Sequence, residues 1–234
     1  MPEKIRRLTE LLKEFTLEDI ERIESSDRQF RALEELFREL KNPREFLKLV
    51  VINALLSYQL QMKGEEYWEA FSEFFKKRSL EAFPRFLSLY NRRFLGARLR
   101  RFERVKRCVE ELFDRFSVDE IGKNLFILVD FLSECLGQKR DAKTVVFAAK
   151  MFMYGYKIAF GRYPQGLDRI EIPLDSRLKR IIPDVRQWRE LSEKVGIPPL
   201  RLDGLIWVSV GGESSIPPSL KEKVERLKRA LKGP

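Results

Sequence analysis

Lys143 and Asp175 are the side chains whose types and settings suit covalent chemistry. Lys143 stands in the run LGQKRDAKTVVFAAKM, Leu136 to Met151, just inside a helix that follows a glycine turn. Asp175 stands in IPLDSRL, Ile172 to Leu178, where Pro173 sets the chain's approach and the carboxylate opens another helix. A lysine amine working with a carboxylate, in a basic helical chain, suits Schiff-base chemistry on a nucleic-acid sugar. A lysine at the positive end of a helix is placed unfavourably by the dipole. With burial, that placement favours the neutral amine that attacks carbon. Taken singly, each residue also has an ordinary explanation, a solvated lysine and a helix cap. Histidine is absent, which removes Ser-His and Cys-His nucleophile pairs and any His-ligated metal. The reaction must run on Lys, Asp, Glu, Tyr or Ser, and it calls for no metal or cofactor.

These residues need helices to hold them, and helical spacing of apolar residues dominates the chain. It predicts helices over 3–15, 27–40, 43–61, 65–77, 98–115, 119–136, 142–157, 184–195, 199–209 and 218–231. Asp27, Asn42 before Pro43, Ser117 and Asp141 read as caps. Only Arg169–Ile172 and Trp207–Val210 compete as strands. The least helical stretch, Gly161 to Pro173, separates the Lys143 helix from Asp175, and Gly211 to Pro218 sets off the last helix. The expected fold is all-α and two-lobed, with a cleft between the lobes.

Lys and Arg number 46 against 36 Asp and Glu, a balance of +10 that favours a polyanionic partner, nucleic acid before an anionic membrane. No apolar run approaches the ~20 residues of a membrane span. The start, MPEKIRRLTELLKEF, is amphipathic and charged rather than a signal peptide, so a cytoplasmic location is expected. Asn and Gln together number ten, and with abundant Lys, Arg and Glu this resembles thermophile composition. Cys108 and Cys135 each lie in a helical apolar pattern and read as buried free thiols, with a disulfide as the alternative.

A helix ending at Gly137, a hairpin through Gln138, Lys139 and Arg140, and a helix starting near Asp141 form a grip for a DNA backbone. Amides at the turn and at the second helix's start point at phosphate oxygens. Lys139 and Arg140 are the stronger basic contacts. Arg92, Arg93, Arg98, Arg100, Arg101, Arg104, Lys106 and Arg107 form a charge run that reads as a solvated face or a phosphate-contacting one.

Leu136 to Met151, the IPLD segment and the order of hairpin, lysine and aspartate resemble the archaeal 8-oxoguanine DNA glycosylases, the AGOG branch of the helix-hairpin-helix superfamily. The likeness extends over most of the chain. It implies one glycosylase unit over 1–234 of two interleaved helical lobes, with the hairpin motif at about 120–157. It also implies a glycosylase and lyase whose lysine attacks the sugar and whose aspartate assists. The base pocket it implies is Gln29, Ser57, Trp68, Phe147, Pro173, Asp203 and Trp207. The residues are compatible with that role: Phe147 shares a helix face with Lys143, and Asp203 shares one with Trp207. An acidic acceptor and aromatic faces suit a flipped guanine-type base, and an acceptor at N7, supplied by Gln29 or a main-chain carbonyl, separates 8-oxoguanine from guanine. For Trp68 and Trp207 core packing is the ordinary alternative. The chain departs from the superfamily in having Lys139 where a second hairpin glycine usually stands, and in a longer hairpin. The expected partner is double-stranded DNA containing 8-oxoguanine, with single-stranded DNA also open, acted on by a monomer at the nucleoid. A glycosylase for another oxidised base and a non-catalytic DNA-binding protein are the alternatives.

Overall fold

The computed structural model describes residues 3–211 and 215–232, and among them regular structure is entirely helical. The helices are α1 (Glu3–Leu12), α2 (Leu17–Glu24), α3 (Arg28–Leu40), α4 (Pro43–Leu56), α5 (Gly64–Phe75), α6 (Phe83–Tyr90) and α7 (Leu95–Arg115). They continue with α8 (Val118–Lys123), α9 (Phe126–Leu136), α10 (Lys143–Phe160), α11 (Ser176–Ile181), α12 (Val185–Val195), α13 (Pro199–Gly211) and α14 (Lys221–Lys232). The chain divides into two compact units: Arg28–Arg169, and Met1–Asp27 with Ile170–Pro234.

The Arg28–Arg169 unit is built around α4, whose apolar residues run all round the helix and are buried on every side from Leu49 to Leu56. α10 packs along it, and α3 and α7 also lie against α4. Gly155 permits the close α4–α10 approach, because a Cβ there would lie 2.8 Å from the Leu47 side chain. A nest of rings, Phe71, Phe74, Phe75, Phe83 and Phe86, fills the space between α5 and α6. The other unit packs α13 against α2, α12 and α14, and α1 against α12 and α14, over a core that includes Leu8, Ile20, Trp188 and Leu227. Arg201 is buried there, with Nε 3.1 Å and Nη2 3.0 Å from the Glu24 carboxylate.

Several expectations change. α4 ends at Leu56 rather than near 61, because Ser57 leaves helical geometry at ψ 62 and Gln59 turns left-handed at φ 47. The expected helix over 119–136 breaks at Asn124, where φ −152 and ψ 88 separate α8 from α9. α2 and α6 are additional helices, and the Trp207–Val210 candidate strand lies inside α13. Asn42 and Ser117 cap as expected, Ser117 within a full capping box.

Cys108 and Cys135 are not free thiols but a disulfide, with Cα atoms 5.9 Å apart, joining α7 to α9. Helical spacing placed each cysteine on an apolar face, and only the crossing of α7 and α9 brings those faces together. The bridge closes a loop of 27 positions, so chain-entropy reasoning gives it about 3.5 kcal/mol. Reduction should therefore lower the melting temperature by roughly 10 °C, measured by calorimetry with and without a phosphine reductant. An unchanged melting temperature with both thiols shown free by mass spectrometry would exclude that contribution.

Candidate active site

In the Arg28–Arg169 unit, α9 stops at Gly137 in the left-handed region, φ 62 and ψ 39. The Gln138 N–H bonds the Ser133 carbonyl at 2.8 Å, which completes the helix stop. The Ala142 N–H then bonds the Lys139 carbonyl at 3.0 Å, and Thr144 Oγ1 donates to Gln138 Oε1 at 3.2 Å, tying the hairpin to the start of α10. Asp141 does not cap that helix. The N-cap is Ala142, one position later, and no side chain caps the first turn. The leading amides of α10 are thus available to water or a phosphate oxygen. Lys139 is exposed, whereas Arg140 folds back, its Nε 2.6 Å from Asp130 Oδ1 on α9 and its guanidinium over the Phe126 ring.

Lys143 is the first residue of α10 and is exposed, because its helix begins at the hairpin surface. One turn on, half-buried Phe147 meets the Trp68 ring edge-on at 6.2 Å. Trp68 is only 1% exposed and also packs edge-on against Phe71 at 5.3 Å, so its core role holds and it backs Phe147 rather than offering a face of its own. Gln29 is buried on α3. Ser57, at the end of α4, donates from Oγ to the Asn53 carbonyl at 2.6 Å. Tyr67 lies beside Ser57, and burial pushes its phenol above the usual range against the opposing influence of Asn91.

The basic run over α7 is not one surface. Arg98 is fully buried, with its guanidinium reaching the carbonyls of Arg93 (2.7 Å), Leu56 (3.3 Å), Tyr58 (2.8 Å) and Gln59 (3.2 Å). It therefore caps the C-terminal carbonyls of α4, where a cation is favoured by the helix dipole. Arg101 supports it at the Leu55 carbonyl, 3.2 Å away. Arg100, Arg104 and Arg107 stay exposed.

In the other unit, Pro173 is buried and Asp175 is the N-cap of α11. Asp175 Oδ1 accepts from the Arg177 N–H at 2.9 Å and the Leu178 N–H at 2.8 Å. Its Oδ2 takes the Arg177 guanidinium at 3.2 Å, and that guanidinium lies over the Trp207 ring at 4.3 Å. Asp203, 3% exposed, sits one turn before Trp207 on α13. The structure thus joins Asp175 to Trp207 through Arg177, a residue the sequence presented only as part of a helix start. Lys143 and Asp175 belong to different units.

The family model for AGOG, described as N-glycosylase/DNA lyase, matches residues 9–232. The chain belongs to this family. An N-glycosylase/DNA lyase of Thermococcus kodakarensis is 37% identical over 247 residues, covering 98% of this chain and 92% of that one. One from Nanoarchaeum equitans is 39% identical, covering 86% and 88%. The crystal structure of 8-oxoguanosine-complexed Pa-AGOG, 8-oxoguanine DNA glycosylase from Pyrobaculum aerophilum, superposes with a TM-score of 0.80 at 24% identity, covering 97% of both chains. That likeness bears out the helical fold. Membership makes the protein a DNA N-glycosylase and lyase, and it makes DNA the partner that the positive charge called for. Among the described residues no helix is long and apolar enough to cross a membrane. Two bonds break in this family's reaction, the base–sugar bond and then a strand bond, so an amine that holds the sugar carbon between the two steps suits it.

Proposed function

We propose that this N-glycosylase/DNA lyase excises 8-oxoguanine from DNA, with Lys143 as nucleophile and Asp175 as the electrostatic partner. The observation that carries the reading is the family match over residues 9–232 together with an exposed lysine at the first position of α10, beside uncapped amides. Gly137, Gln138, Lys139 and the leading amides of α10 hold the backbone phosphates, with Arg140 released from Asp130 or left as a brace for the hairpin. The damaged base leaves the stack, at a cost of a few kcal/mol, and meets Phe147 and Trp207 as aromatic faces. Asp203 accepts from the N–H groups of the base's Watson–Crick edge, and Gln29 or a carbonyl near Ser57 accepts from the N7–H that guanine lacks. Pro173 and Trp68 support the surrounding walls.

The Lys143 amine forms a bond to C1′ as the C1′–N9 bond breaks and the base departs with its electron pair. The Asp175 carboxylate stabilises the positive charge that develops on the sugar. A proton from the attached amine passes to the ring oxygen as the C1′–O4′ bond opens to the Schiff base, and loss of a C2′ proton then breaks the C3′–O bond, expelling the 3′ phosphate and cutting the strand. The enzyme acts as a monomer on double-stranded DNA at the nucleoid. The substrate test is single-turnover base release from otherwise identical duplexes carrying 8-oxoguanine, an oxidised pyrimidine or undamaged guanine. Release of 8-oxoguanine should be the fastest, by at least about a hundredfold over guanine, as expected when a site's polar groups pair with one base only. Faster release of the pyrimidine lesion would move the assignment to another oxidised base.

A further inference from the structure

The sequence contains the same local cap twice. Asp175-Ser176-Arg177 and Asp184-Val185-Arg186 each place an aspartate at a helix N-cap with an arginine two positions later. In both, the carboxylate accepts from the arginine's own N–H at 2.9 Å and pairs with its guanidinium, at 3.2 Å in the first and 3.0 Å in the second. The pairing is therefore a property of the local motif. Its surroundings differ. The Arg186 side chain is 84% exposed, whereas that of Arg177 is 23% exposed and lies 4.3 Å over the Trp207 ring. A planar guanidinium can bond a carboxylate edge-on while stacking face-on over an indole, a combination open to arginine and not to lysine.

We propose that Arg177 is a positioning residue for base excision, one that fixes the carboxylate of Asp175 and the indole plane of Trp207 as a single rigid pair. The inference rests on the roles proposed above for those two residues. With Oδ1 held by two main-chain amides and Oδ2 by Arg177, the carboxylate cannot rotate about its terminal torsion. The same guanidinium sets where a stacked base would lie relative to that charge. Base release uses both partners at one moment. Cleavage at an abasic site has no base to stack and no base–sugar bond to break, so it depends on Arg177 far less.

The test compares Arg177→Met, Arg177→Lys and the control Arg186→Met, each assayed below its melting temperature. Two rates are measured: single-turnover base release, and strand cleavage of a duplex with a preformed abasic site. Arg177→Met should lose about tenfold to a hundredfold in base release, the scale of a small misplacement of reacting groups. It should cut abasic DNA within about threefold of wild type, a window that a hundredfold orientation effect clearly exceeds. Arg177→Lys, which restores the charge and not the stack, should recover only part of the loss, and Arg186→Met should match wild type in both assays. A parallel fall in both rates for Arg177→Met marks a merely structural role and overturns the proposal, as does base release equal to that of Arg186→Met. The ratio is taken on whichever base the wild type releases. Wild-type failure on 8-oxoguanine thus counts against the substrate reading, while the Arg177 ratio counts only for or against this one.

Discussion

Lys143→Gln should abolish both the borohydride-trapped covalent complex and strand cleavage, with base release reduced at least about a thousandfold. Loss of a nucleophile has effects of this size or larger in enzymes where it acts as part of a set. Glutamine keeps the length and polarity of the side chain but has no amine that can form an imine. Lys143 is exposed at the first position of α10, and the fold places no weight on it. The variant should therefore melt with the wild type and bind lesion duplexes with a slightly weaker salt dependence, as expected on removal of one cation near the backbone. Trapping is read on a denaturing gel with labelled 8-oxoguanine duplex. A trapped band of undiminished intensity from Lys143→Gln would assign the Schiff base to another amine, and buried Lys150, two turns further along α10, would be the next lysine to examine.

Asp175→Asn should lower single-turnover base release by about 10²–10³, the scale found when one preorganised electrostatic group is removed from a transition state. The substitution separates two roles of one side chain. As N-cap of α11, Asp175 gives the amides of Arg177 and Leu178 an oxygen at 2.9 and 2.8 Å, and an asparagine oxygen can do the same. What asparagine removes is the negative charge, which faces Arg177 and, in the proposed mechanism, stabilises the charge developing on the sugar. The melting temperature should thus move little in Asp175→Asn, whereas Asp175→Ala should also lose about 1 kcal/mol with the cap. If Asp175→Asn releases the base at the wild-type rate, the carboxylate is a cap only.

Much of the protein was legible in its residues because the signals are local. Apolar spacing marked most helices, Asn42 and Ser117 marked two of their starts, and Gly137 marked the left-handed stop before the hairpin. The excess of Lys and Arg and the absence of histidine narrowed the chemistry to an amine or a carboxylate acting on a polyanion. The order of hairpin, lysine and aspartate pointed to a family that the match over residues 9–232 bears out.

What the residues left undecided depends on contacts between positions far apart in the chain. Arg98 is chemically like its neighbours Arg100 and Arg104, yet it is buried because the end of α4 presents carbonyls within its reach. Cys108 and Cys135 pair because α7 crosses α9. Trp68 turned out to be core and Phe147 half-open, although both are aromatic residues on amphipathic helices. The two aspartate–arginine caps make the point most directly. Sequence by itself determined that each would form, since the capping bonds span two or three residues. Only the tertiary structure decided that one arginine would lie on an indole and the other in water, because stacking requires α11 and α13 to meet, and no local preference encodes that meeting.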